Sequence, residues 1–371
     1  VSRGGGSGYP LQLLARASLW GFRYYPSRVL NKKVVKILKM NLSKRITVLS
    51  EVGNLLHPEN ESLAEIFAKT EMFNPWFTRL HCELMVRNFR EQFFNEEKLT
   101  QWTNNYQIGD DNNKTIGLVL AGNVPFVGMH DILSVVMSGN KAQVKLSSKD
   151  TFFFPWLHKQ LINIEPEFEN KINFVERLEN FDAVIATGSN NSARYFNYYF
   201  GKYPNIIRRN RTSVAIITGN ESDEEILELG KDVFYYYGLG CRNVSKIFIP
   251  ELYDLEKLFR IWDDFRYIAD NTKYNNNYDY NRALLLLNQT PHLTNDFFMI
   301  RETEDLFSPI SVLFCERYTN DEDLALKINA IGADLQCVAS NKEGNTPFGK
   351  TQFPELWDYA DNVDTMRFLT A

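Results

Sequence analysis

Cysteine is scarce and scattered in this chain. Cys82, Cys241, Cys315 and Cys337 are the only four in 371 residues, and none pair at the spacing of a zinc knuckle or a small disulfide framework. A reducing cytoplasm fits that usage. Long apolar runs are missing too: no uninterrupted stretch reaches the roughly 20 residues needed to span a bilayer, so no integral membrane protein is expected. Basic excess is absent, with 41 Lys and Arg against 46 Asp and Glu and a formal net charge of -5. A nucleic-acid binder needs a basic footprint that this balance does not supply. His57, His81 and Cys82 share one region but lack the further ligands a metal needs, so no metal is expected.

Acidic residues are absent from the first 39 positions, where basic residues such as Arg3, Arg16, Arg23 and Arg28 follow a glycine-rich opening. That composition suits either an organelle-targeting presequence or an extension ahead of a start at Met40, where Met40-Asn41-Leu42-Ser43 opens an amphipathic pattern. The functional reading therefore begins at Met40.

What is present is ample core material, 44% hydrophobic and 14% aromatic, enough for two lobes. From Met40 to residue 110 apolar positions recur at helical spacing, interrupted at Pro58 and Pro75. The pattern then alternates. Thr115–Ala121, Ala142–Leu146, Asp182–Ala186 and Ser213–Ile217 read as buried parallel strands, with helical stretches following each. Ser222-Asp223-Glu224-Glu225 matches a capping box that opens the helix running into Tyr235-Tyr236-Tyr237. Such alternation predicts a doubly wound α/β domain over 111–237, with its ligand at the carboxyl ends of the strands.

A second α/β lobe is expected over 238–345, with strands at Lys246–Ile249, Ala283–Leu287, Ser311–Phe314 and Gln336–Ala339 and a helix over Leu252–Ala269. The Asn- and Tyr-rich stretch 271–282 reads as a surface loop, or as a lid over a substrate. Residues 346–371 are expected to return to the first domain or to an oligomer interface.

No G-x-G-x-x-G fingerprint follows the first strand, so an ordinary phosphate grip is not expected there. The turn offers Gly122-Asn123-Val124-Pro125 instead. Asn123 there is either an oxyanion donor aimed by the stiff proline or a residue chosen for its tolerance of turns. Lys145, Ser147 and Ser148 put donors at the end of the second strand, within reach of a ribose or phosphate, or of solvent alone. Cys241 sits in Gly238-Leu239-Gly240-Cys241-Arg242, where two glycines clear space for a carbonyl to approach the sulfur. Its other reading is an apolar core thiol.

Taken in order, Gly122-Asn123-Val124-Pro125, Lys145-x-Ser147, Thr187-Gly188-Ser189, Cys241, Asp305-Leu306-Phe307-Ser308-Pro309 and Pro347-Phe348-Gly349 resemble the motif set of the aldehyde dehydrogenase superfamily. Within it, Ser138-Gly139-Asn140 and Lys145-Leu146-Ser147-Ser148-Lys149-Asp150 make the chain most similar to the LuxC-like acyl-CoA reductases, over roughly residues 45–371. The resemblance implies an aldehyde-dehydrogenase-like α/β fold: a nicotinamide-cofactor domain and a catalytic domain behind a helical lead-in, assembled as a homo-oligomer.

Carried onto this sequence, the resemblance makes Cys241 the acyl-accepting nucleophile and Asn123 the oxyanion donor. Gly122 lies in the same turn. Lys145, Ser147 and Ser148 would lie near the adenosine ribose, Thr187, Gly188 and Ser189 near the pyrophosphate, and Asp305 and Phe307 against the cofactor. The activity implied is reduction of an acyl-CoA to an aldehyde with NADPH, NADH being the alternative. Three departures stand out. Arg211-Thr212-Ser213-Val214-Ala215 replaces the segment that supplies a water-activating glutamate, Asp305 is one carbon shorter than the usual ribose ligand, and Arg242-Asn243 follow the cysteine. Loss of the base disfavours hydrolysis more than reduction. A CoA-independent aldehyde dehydrogenase, or acyl transfer without reduction, are the alternatives.

Overall fold

The structure, a computed structural model, describes residues 40–371. The expectations for 1–39 lie outside the described residues. The lead-in folds as helices α1 (Leu42–Leu55), α2 (Glu61–Phe73), α3 (Arg79–Asn88) and α4 (Glu96–Thr103). Their starts follow from side-chain caps: Asn41, Asn60, Thr78 and Asn95 each accept a first-turn N–H. Pro58 and Pro75 fall between helices, where a missing N–H costs nothing. Among the described residues no helix is long and apolar enough to cross a membrane.

Next come β1 (Thr115–Val119), α5 (Met129–Met137), β2 (Lys141–Lys145), α6 (Phe153–Ile164), β3 (Ile172–Phe174), β4 (Ala183–Thr187), α7 (Asn190–Phe200) and β5 (Asn205–Arg208). The strands form a parallel sheet in the order β3-β2-β1-β4-β5. Ile116, Leu118, Val144, Val184 and Ile185 are buried in it, which explains the continuous apolar runs. The chain winds one way from β1 and the other way from β4, so the crevice at their carboxyl ends is the topological switch point.

The second sheet is built from β6 (Thr212–Ile216), β7 (Val244–Pro250), β8 (Leu293–Thr294), β9 (Met299–Glu302), β10 (Val312–Tyr318) and β11 (Leu335–Ala339), with α8 (Asp223–Phe234), α9 (Glu256–Ile261), α10 (Thr272–Leu287) and α11 (Asp321–Ile331) between them. Its order is β11-β6-β7-β10-β9-β8, and β8 alone runs antiparallel to its neighbour. A last helix, α12 (Thr365–Thr370), returns to the first lobe, where Asn140 donates to the Leu369 carbonyl at 3.2 Å.

Two expectations are corrected here. Residues 271–282 are no loop or lid and 283–287 no strand: both belong to α10, capped by Asn271, whose side chain accepts the N–H groups of Lys273 and Tyr274 at 3.0 and 3.2 Å. Tyr274, Tyr278 and Asn281 recur at helical spacing and are buried, so packing overrides the weak helix propensity of Asn and Tyr. The four-leucine run cannot by itself distinguish strand from helix. Second, β6 pairs with β7 and β11, so the division between sheets falls before Thr212 and not after residue 237. Alternation alone does not reveal where one parallel sheet stops and the next begins.

A buried ion pair ties the first lobe together. Arg208, at the end of β5, donates through Nη1 to both carboxylate oxygens of Asp131, at 2.7 and 2.6 Å, and through Nη2 to Thr365 Oγ1 at 2.9 Å. It thereby joins β5, α5 and α12. Replacing Asp131 with Asn strands the buried guanidinium, and the expected loss is about 3–5 kcal/mol of stability. Chemical denaturation checks this as a lower midpoint at unchanged slope.

Candidate active site

Cys241 lies in the connection from α8 to β7, and that connection is under backbone strain. After α8, Tyr236, Tyr237 and Gly238 adopt φ values of 53°, 58° and 72°, three consecutive left-handed residues. For a tyrosine each such turn costs about 1–2 kcal/mol. His81 of α3 holds the turn: its Nε2 accepts the Tyr236 N–H at 3.1 Å, and its ring lies 5.0 and 4.8 Å from the rings of Tyr236 and Tyr237. Burial pushes the His81 pKa down to about 4, so the ring is neutral with its proton on Nδ1.

Asn243 fixes the other end of the loop. Its Oδ1 accepts the Gly240 N–H at 2.8 Å, while Nδ2 donates to the carbonyls of Asp232 at 3.0 Å, Val233 at 3.4 Å and Tyr235 at 2.8 Å. The buried amide thus satisfies carbonyls left over at the end of α8. Asp232 continues the connection. Its carboxylate accepts the Gly349 N–H at 2.7 Å, the Thr351 N–H at 3.0 Å and the Thr351 hydroxyl at 2.8 Å, although burial pushes its pKa up to about 7. The Pro347-Phe348-Gly349 turn is therefore anchored to the same helix end as the cysteine.

Cys241 is partly exposed as a residue, and burial of its thiol pushes the pKa up, with Arg242 opposing that shift and Asp361 and Cys337 adding to it. Arg242 donates to the Asp358 carbonyl at 2.7 Å. Ser213 donates to the Cys241 carbonyl at 3.1 Å and lies 3.0 Å from Cys337 Sγ, which places a second thiol beside the cysteine loop.

Asn123, exposed at the end of β1, reaches across to this loop and donates through Nδ2 to the Leu239 carbonyl at 2.8 Å. One amide hydrogen is committed there, and the second is available to an oxyanion. Gly122 beside it is tightly packed: a Cβ there would lie 2.2 Å from Ser147 Oγ. Lys145, exposed, donates to the Glu176 carbonyl at 2.6 Å, and Ser147 accepts the Lys149 N–H at 3.3 Å, next to the exposed Ser148.

At the end of β4, Thr187 Oγ1 is buried with no hydrogen-bond partner, a Cβ on Gly188 would lie 2.8 Å from Ser192 Cβ, and Ser189 caps α7 by accepting the Ser192 N–H at 3.2 Å. Asp305 and Phe307 are exposed in the loop between β9 and β10. Ser245 and Lys246 hold that loop through the Leu306 and Glu304 carbonyls, at 2.9 and 2.8 Å, a few residues beyond Cys241. Asp305 itself pairs with Arg301 at 3.5 Å.

The structure thus gathers Gly122, Asn123, Lys145, Ser147, Ser148, Thr187, Gly188 and Ser189 at the carboxyl ends of the first sheet. Cys241 and the Asp305–Phe307 loop stand at the amino side of the second, and Asn123 bridges the two groups. Sequence reasoning missed the Asp131–Arg208 pair, Asp361, and the scaffolding by His81, Asp232 and Asn243. Of these only Asn243, next but one to the cysteine, stood near a recognisable motif.

This two-sheet arrangement is that of the aldehyde dehydrogenases. A putative aldehyde dehydrogenase of Burkholderia cenocepacia is similar over 82% of this chain and 75% of its own, with a TM-score of 0.59 at 12% identity. The glyceraldehyde-3-phosphate dehydrogenase GapN of Methanocaldococcus jannaschii, solved with NADP, is similar over 82% and 77%, with a TM-score of 0.61 at 14% identity. An NAD-dependent aldehyde dehydrogenase of Sinorhizobium meliloti gives a TM-score of 0.58 at 14% identity, over 84% of this chain and 72% of that one. At such identities the likeness is one of fold. Among curated proteins nothing matches.

The sequence profile of the family described as acyl-CoA reductase (LuxC) matches residues 60–256, just over half of the chain. The chain belongs to that family, whose class is an oxidoreductase acting on acyl or aldehyde groups. The matched span takes in Asn123, Lys145, Thr187 to Ser189 and Cys241 and stops short of Asp305.

Replacing Asn243 with Ala leaves the Gly240 N–H and the carbonyls at the end of α8 without their partner. The expected cost is about 2–3 kcal/mol, accompanied by a changed rate of Cys241 alkylation under native conditions. An unchanged melting curve together with an unchanged alkylation rate would remove Asn243 from this scaffold role.

Proposed function

We propose that this protein reduces an acyl-CoA to the aldehyde through an acyl-enzyme on Cys241, with NADPH as the reductant. The observation that carries the reading is the hydrogen bond from Asn123 to the Leu239 carbonyl, which unites the switch-point crevice with the cysteine loop. Family membership supports the substrate class.

The switch-point residues fit a dinucleotide. Thr187 offers a buried hydroxyl without a partner, Gly188 leaves the backbone bare, and the N-terminus of α7 favours a phosphate. Lys145, Ser147 and Ser148 would serve the adenosine ribose, Gly188 and Ser189 the pyrophosphate, and Asp305 and Phe307 the nicotinamide end. Lys149, exposed beside Ser148, favours the 2′-phosphate of NADPH over NADH. When bound, the reduced nicotinamide supplies the hydride that turns the acyl-enzyme into aldehyde. Oligomeric assembly and a cytoplasmic setting belong to the same reading.

In the acylation step the Cys241 sulfur attacks the thioester carbonyl and Asn123 donates its free amide hydrogen to the oxyanion. The C–S bond to CoA then breaks, and the Cys241 proton passes to the departing sulfur. One thiol replaces another, so no net base is consumed.

Incubation with an acyl-CoA is expected to give an acyl adduct on Cys241 by mass spectrometry, and adding NADPH should release aldehyde. Cys241→Ala should give neither. Because burial raises the thiol pKa, the acylation rate should climb with pH and reach its midpoint above that of an ordinary cysteine. A midpoint below that of free cysteine would contradict a thiol that rests protonated.

Asp361 favours a second reading, an aldehyde dehydrogenase that uses water. Its half-hidden carboxylate acts on the Cys241 thiol, burial pushes its pKa up, and it is held by Arg211 at 3.1 Å. If Asp361 activates water, Asp361→Asn should slow hydrolysis of the acyl-enzyme by about 10²-fold. The reductase reading expects instead that hydride-dependent aldehyde release in this variant changes by much less than that factor.

A further inference from the structure

Asp150 closes the motif Lys145-Leu146-Ser147-Ser148-Lys149-Asp150, and neither the cofactor reading nor the acylation step uses it. It is 2% exposed, and one carboxylate oxygen, Oδ1, is buried without a partner. The other, Oδ2, accepts the Phe126 N–H at 2.7 Å. Phe126 ends the turn that follows β1. It is fully buried, holds φ at 57°, and stacks on the Phe153 ring at 4.1 Å. That left-handed backbone is disfavoured for any residue with a Cβ, so it persists only where something holds it. A buried carboxylate with one oxygen unpaired is unfavourable as well. Two unfavourable groups thus meet at the far end of the turn that carries Asn123.

Both ends of that turn rest on the same neighbour. At the near end a Cβ on Gly122 would collide with the Ser147 side chain and lie 3.3 Å from Lys149 Cβ. The 147–150 segment is itself closed by the Asp150 N–H, which donates to the Ser147 carbonyl at 3.1 Å, and Asn74 at the end of α2 donates to the Lys149 carbonyl at 3.4 Å. Between the two anchorages only Asn123, Val124 and Pro125 remain, and the proline ring keeps the last of them stiff. Asn123 commits one amide hydrogen to the Leu239 carbonyl, and Val124 Cγ1 lies 3.5 Å from where a Cβ on Gly240 would stand. We infer that Asp150 is the positioning residue for the oxyanion donor: by holding Phe126 it fixes the direction in which the free amide hydrogen of Asn123 meets the carbonyl attacked by Cys241. This rests on the acyl-enzyme reading of Cys241. Asp150 is sealed from solvent and acts only through the turn.

The test sets a reaction that builds an oxyanion against one that does not. Acylation of Cys241 by an acyl-CoA passes through a tetrahedral oxyanion, whereas alkylation of the same sulfur by iodoacetamide displaces iodide without one. In the full chain, with both adducts quantified on the Cys241 peptide by mass spectrometry, Asp150→Ala is expected to slow acylation about tenfold or more while leaving alkylation nearly unchanged. Asp150→Asn, which keeps an acceptor in the same place, should fall between the alanine variant and wild type, and it replaces the alanine variant in every comparison if that chain does not fold. Added to Asn123→Ala, the Asp150 substitution should slow acylation no further, because the group it positions is gone. Equal acylation in wild type and variant, an equal slowing of acylation and alkylation, or a full additional loss on top of Asn123→Ala would overturn the inference and leave the acyl-enzyme reading standing. No acylation of the wild-type chain would overturn both.

Discussion

The position of Cys241 depends on one buried amide. Asn243 accepts from Gly240 and donates to carbonyls at the end of α8, so the helix end, the left-handed turn and the start of β7 share one hydrogen-bonding centre. Without it the turn would expose backbone groups that have no other partner in the interior. His81 completes the restraint from the opposite side by accepting the N–H of Tyr236, a residue that would not hold φ at 53° unaided. Asp232 extends it to the 347–351 turn. Segments more than a hundred residues apart thus converge on the loop that presents the sulfur.

That convergence explains how two parallel sheets make one site. The first sheet offers its carboxyl ends, where doubly wound folds take ligands. The second presents the loop ahead of β7, at the amino side of its strands. The two meet because Asn123 donates across the gap and because Arg208, paired with Asp131, binds the last strand of the first sheet to α5 and α12. Arg208 also acts on the Cys241 thiol, so a pair that stabilises the fold contributes to the charge balance at that sulfur.

Much of this architecture was legible in the sequence, and the limits of legibility are physical. Buried parallel strands announce themselves as apolar runs, so β1, β2, β4, β6 and β7 were readable. Short strands such as β3 and β9 carry too few residues to show a period. The helix α10 was hidden because its asparagines and tyrosines favour loops in isolation and become helical only through burial of Tyr274 and Tyr278. Motif residues such as Asn123 and Cys241 could be named because glycine and proline mark their turns. His81, Asp131 and Asp232 could not, since what they do is set by partners brought together only when the chain folds.

The charge balance around Cys241 bears on which chemistry the site favours. Burial and the carboxylate of Asp361 raise the thiol pKa, while Arg242 and Arg208 lower it. The outcome is a thiol that rests protonated, so attack on either an aldehyde or a thioester must first move that proton off the sulfur. In thioester exchange the departing sulfur would take up that proton, and in attack on an aldehyde the new hydroxyl would. If an acyl group were carried on Cys241, its hydrolysis would need a group able to take a proton from water. Asp361 is held against Arg211 and lies within the field of Arg208, and both oppose the rise in its pKa that burial produces. The thiol and Asp361 are thus governed by the same opposition, burial raising each pKa and neighbouring arginines lowering it.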